Sequence, residues 1–147
     1  MSAFLLFQVQ PLIARYILPW YGGSPAVWST CMLFFQVGLL LGYAYAHLLS
    51  NTLSPKRQAY VHVPLLLLSL FLLPITPGDH LKPTDGSSPE LGVILLLLST
   101  VGIPYMIVSS TGPLLQHWFS RSYPDRSPYR LYSLSNVGSL LGLITYP

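Results

Sequence analysis

The sequence predicts an all-α, polytopic membrane bundle of about five transmembrane helices, and three observations lead there. Seven Lys/Arg and four Asp/Glu make up only 7% of the 147 residues, where a soluble domain carries about a quarter. Hydrophobic residues account for 52% and mean hydropathy is +0.55. The charges are confined to Arg15, Lys56, Arg57, the 79–90 segment and the 121–130 segment, which leaves 16–55, 58–78, 91–120 and 131–147 without any. A hydrocarbon core of about 30 Å takes roughly 20 apolar helical residues, so these segments have room for spans. The composition excludes a soluble enzyme, which needs a charged shell. It also excludes disorder, whose mark is low hydrophobicity.

The first helix is placed at 3–18. The chain starts without the basic region and small-residue cleavage site of a signal peptide, so this helix is read as retained. It carries Gln8, Gln10, Pro11 and Arg15. A tight turn follows at 19–25, where Gly22 and Gly23 can take positive φ and Pro25 suits a first helical turn. The second helix spans 25–48 and the third 60–76. Pro77, Gly78 and the 83–89 stretch form a polar loop. The fourth helix spans 91–117, with kinks expected at Pro104 and at Gly112-Pro113 beside a run of hydroxyls. Pro124 and Pro128 bracket the last loop, and the fifth helix occupies 131–147.

Cations set the expected orientation. Lys56, Arg57, Arg121, Arg126 and Arg130 fall on one side, against Lys82 and Arg15 on the other, five to two. The N-terminus is therefore expected in the cytoplasm and the acidic 79–90 loop outside, in a bacterial inner membrane. Tyr16, Trp20, Tyr21 and Trp28 would ring one interface, and Tyr60, Trp118, Tyr123, Tyr129 and Tyr132 the other. The fifth span runs to Tyr146 and Pro147 with no polar tail, which suggests the front part of a longer membrane region, folded as a single domain.

Polar residues inside apolar spans are the functional lead. Gln8, Gln36, Asn136 and the run Ser109, Ser110, Thr111 would leave donors and acceptors unsatisfied in lipid, at several kcal/mol each. They are therefore expected to converge into one polar cluster between helices one, two, four and five, as interhelical glue or as a midplane substrate cavity. Arg15 is the one ionisable group placed within a span, on the face of Gln8 and Pro11. It is expected to snorkel to headgroups or to serve function. Gly38 and Gly42, with Gly138 and Gly142, form two GxxxG motifs that suit close helix packing, within the chain first and between chains second.

Other chemistry finds little footing. Cys31 lies in an apolar run and has no partner for a disulfide. His47, His62 and His117 are expected at helix ends against lipid headgroups and His80 in the loop. Their spacing argues against haem or metal, so lipid is the only expected cofactor. The net charge of +3 is too small and scattered for nucleic acid. No nucleophile or acid/base constellation marks an enzyme.

Three stretches carry a resemblance. Residues 4–36 (FLLFQVQPLIARYILPWYGGSPAVWSTCMLFFQ), 110–119 (STGPLLQHWF) and 128–139 (PYRLYSLSNVGS) resemble the membrane region of bacterial spermidine-synthase-like integral membrane proteins. The resemblance covers nearly the whole chain. It implies a transporter-like membrane region, comparable to the major facilitator superfamily, that elsewhere precedes a synthase-like domain of Rossmann type. It implies no catalysis here, because this sequence has no G-x-G-x-x-G and its four acids all lie in loops. Two functions follow as expectations. One is a transporter-like module, partnered by lipid and by other subunits or a synthase-like domain. The other is an accessory subunit stabilising a larger membrane complex.

Overall fold

The computed structural model describes residues 2–72, 75–83 and 88–146, and all of their regular structure is helical. Helix α1 is Ser2–Tyr21, α2 is Pro25–Thr52 and α3 is Pro55–Leu70. The fourth, α4, is Pro89–Ser122, a rod whose ladder passes through a π turn at Leu98–Gly102. The last, α5, is Tyr129–Ile144. Of the expected features, residues 73–74 of helix three, 84–87 of the acidic loop and Pro147 lie outside the described residues.

Helix starts follow a local rule. Ser24-Pro25, Ser54-Pro55 and Ser88-Pro89 each place proline in the first helical turn, where its missing N–H costs nothing and its fixed φ suits the helix. Ser24 also caps its helix by accepting from the Val27 N–H at 3.3 Å. Between α1 and α2, Gly22 takes φ +79, a left-handed stop that glycine tolerates without a Cβ clash. The rule moves helix three. It begins at Pro55 and takes Lys56 and Arg57 into its first turn, where the charge pattern places a loop.

The expected kinks of α4 appear as one irregularity. Pro104 cannot donate to the carbonyl of Thr100, and the π turn lies immediately upstream. Ser99 and Thr100 hydroxyls both donate to Leu96 O, at 3.0 and 2.6 Å. Helix α4 runs on unbroken through Gly112 and Pro113.

Helix α4 is the spine, with α1, α2 and α3 packed on it, while α5 packs chiefly on α1. Ile13 and Ile17 of α1, Val27, Cys31 and Phe35 of α2, and Val93, Leu96, Leu97, Val101 and Tyr105 of α4 form the larger core. A smaller one gathers Ala46, Leu49 and Leu114, flanked by Tyr45, Leu53 and Trp118. Both GxxxG motifs sit at close helix contacts within the chain. A Cβ on Gly42 would strike the Ser109 side chain and lie 2.8 Å from Met106 O, while one on Gly38 would meet the Tyr105 ring at 3.0 Å. A Cβ on Gly142 would lie 2.9 Å from Phe4 O, and one on Gly138 would touch Phe4 N at 3.6 Å. The residue order of these contacts makes both pairs, α2 with α4 and α1 with α5, parallel.

Among the described residues, two helices, α2 and α4, are long and apolar enough to cross a membrane. Their outward faces carry Leu33, Leu40 and Leu41, and Leu91, Leu95, Leu98 and Ile103, all exposed. Gln58, His62, Ser69, Ser109 and Ser110 are buried beside the apolar core. A water-soluble fold covers itself with charged and polar side chains, and these helix faces are aliphatic.

Candidate functional site

Helices α1 and α2 leave a cleft of about 560 Å³ between them, closed at one edge by Leu143 of α5 and Tyr146 just beyond it. Its walls are mostly apolar, including Phe7, Leu18, Met32 and Leu39, with Trp28 and Cys31 on the α2 side. Three polar side chains of α1 and α2 break that surface: Gln10, Arg15 and Gln36. Among the described residues no Asp or Glu lines it.

Each polar residue is placed by helix periodicity. Gln10 donates to the buried Tyr105 hydroxyl at 3.3 Å, which ties α1 to the spine. Arg15 donates from Nε to the Tyr146 hydroxyl at 2.9 Å, with its guanidinium over the same ring at 5.3 Å. The Tyr146 hydroxyl in turn donates to Pro11 O at 3.2 Å. Gln36 lies on the cleft wall with an exposed side chain. A guanidinium and two primary amides on apolar walls suit a guest with an apolar body and a hydrogen-bonding end.

The members of the expected polar cluster lie apart from one another. Gln8 donates to Gly142 O at 2.9 Å and to Thr145 Oγ1 at 3.0 Å, binding α1 to the end of α5. Ser109 and Ser110 are buried in α4 and donate to Met106 O and Ile107 O of their own helix. Thr111 faces α3, and Gln36 faces the cleft. Asn136 is exposed on α5. These groups do not meet because the two GxxxG motifs pack on different partners, α2 against α4 and α5 against α1, and not on each other. Gln8 acts as the interhelical glue expected of it. Arg15, expected to snorkel to headgroups or to serve function, meets Tyr146 at the cleft edge.

A second polar locus is not visible from the sequence. Gln58 has no exposed surface. Its Nε2 donates to Leu53 O at 2.7 Å, and its Oε1 accepts from Trp118 Nε1 at 2.6 Å. One turn on, His62 is 1% exposed and its Nε2 lies 3.1 Å from Thr111 Oγ1. These contacts fasten α3 to α4. His62 is thus an interior group where the sequence places an interfacial one, while Trp118 is half-buried. A Gln and a His four residues apart share a helix face, which is the only signal the sequence offers. His47 remains exposed and pairs with Asn51 at 2.9 Å. Compared with protein-family models, curated proteins and solved structures, the chain matches none.

Proposed function

We propose that this chain is a multi-pass, transporter-like membrane module, of the kind found in spermidine-synthase-like membrane proteins, and that the α1–α2 cleft is its solute site. The observation that carries the reading is the cleft itself: Gln10, Arg15 and Gln36 on otherwise apolar walls, in a bundle whose outward faces are aliphatic. An amide facing lipid costs free energy, whereas one facing a hydrated path does not. Transporter folds place such polar groups where irregular helices line a cavity, and Pro11 lies on this wall. In this reading all five helices cross a bacterial inner membrane, with the N-terminus in the cytoplasm. The residues bind and orient a guest and perform no covalent step.

Hydration of the cleft tests it. In a Cys31→Ala background, Gln36→Cys is expected to react with a membrane-impermeant thiol reagent in proteoliposomes. Leu40→Cys, on the 67% exposed outer face of the same helix, is expected to stay unreacted. Failure of Gln36→Cys to react would favour the second reading, an accessory subunit whose cleft is filled by a neighbouring helix.

A further inference from the structure

His62 and Tyr45 hold two unanswered polar atoms in the junction of α2, α3 and α4, away from the cleft. The Thr111 hydroxyl has a single proton and lies 3.1 Å from Ile107 O, a carbonyl that can only accept. With its proton there, its lone pair receives the N–H of His62 Nε2 at 3.1 Å, and the Nε2–H tautomer is assigned from that pairing, with Nδ1 as the acceptor. That Nδ1 is buried and has no partner among the described residues. The Tyr45 ring lies 6.0 Å from the imidazole between centroids, tilted by 35°, and its buried hydroxyl also has no partner among the described residues. A phenol readily donates. One junction thus contains an unfilled acceptor and an unfilled donor that do not reach each other.

Burying either group unsatisfied carries a desolvation penalty that native interiors avoid. A molecule that both donates and accepts answers both at once. The two side chains come from different helices, α3 and α2, and their rings are near neighbours. We propose that this junction is a binding site for one water molecule, which accepts from the Tyr45 hydroxyl and donates to His62 Nδ1. The bridge extends the chain of hydrogen bonds Ile107–Thr111–His62 to α2, so the three helices are cross-linked by one polar relay. Buried waters of this kind make two to four bonds to groups the protein cannot otherwise pair.

The sign of a stability change decides the matter. Tyr45→Phe deletes only the hydroxyl. If that hydroxyl holds a bridging water, the variant of the full chain in lipid nanodiscs unfolds about 2–4 °C lower than the wild type. If the hydroxyl is an orphan, its removal leaves the midpoint unchanged or raises it, and the proposal falls. Solid-state NMR of [15N]histidine-labelled protein gives the second readout. The unprotonated Nδ1 of His62 is expected to show an accepted hydrogen bond and a cross-peak to water protons, both lost in Tyr45→Phe. Destabilisation without a water cross-peak would mean that Tyr45 bonds His62 directly, which also overturns the site.

Discussion

At the scale of single residues, Gln58 shows how polar side chains hold an apolar bundle together. Its amide answers the last carbonyls of α2 through Leu53 O, and its oxygen receives the indole proton of Trp118. Gln58→Leu keeps the volume and strands both partners. Each stranded buried group costs about 1–3 kcal/mol, so the variant is expected to unfold several degrees lower by circular dichroism in detergent, while Gln58→Glu retains the acceptor for Trp118 and loses less. None of this was legible in the sequence. A glutamine near Lys56 and Arg57 reads as a loop residue, and a lone histidine in an apolar helix has no visible partner until α4 is docked beside it. For Gln8 the need for an interhelical partner was legible, because an amide deep in an apolar run must be answered, but the partner was not: the end of α5 answers it in place of the expected polar cluster.

At the scale of elements, the glycines separate contact from filler. Gly42→Ala drives a methyl into Ser109 and the Met106 carbonyl, and Gly142→Ala into the Phe4 carbonyl. Backbone atoms cannot step aside as a side-chain tip can, so each is expected to cost about 1–3 kcal/mol. Gly112 has nothing within 4 Å of the added methyl. Gly112→Ala is therefore expected to be neutral or to stabilise by about 0.5–1 kcal/mol through helix propensity. A thermal-shift comparison of the three variants checks both directions. The sequence announced the GxxxG stripes but not their partners, since small residues four apart say only that some backbone comes near. Helix ends were read less well where charge was the guide. Pro55 initiates α3 ahead of Lys56 and Arg57, because a proline fixes backbone geometry while a surface cation tolerates helix or loop alike.

For the molecule as a whole, the outer faces decide the class: Leu33, Leu40, Leu95 and Ile103 are exposed, while the few buried polar groups, Gln58, His62 and Ser110 among them, sit beside an apolar core. Composition already pointed there, for so few charged residues cannot clothe a soluble domain of this length. The separation of the chain into two parallel pairs, α2 with α4 and α1 with α5, was not legible, and it decides that a cleft lies between α1 and α2. Sidedness gives the most direct test. Gly23 and Ser127 are exposed in connections at opposite ends of the bundle. In a Cys31→Ala background, each is replaced by cysteine and treated with an impermeant thiol reagent in right-side-out and inverted vesicles. Gly23→Cys is expected to react only from outside and Ser127→Cys only from the cytoplasmic side. Reaction of both from the same side would contradict a bundle crossed by five helices.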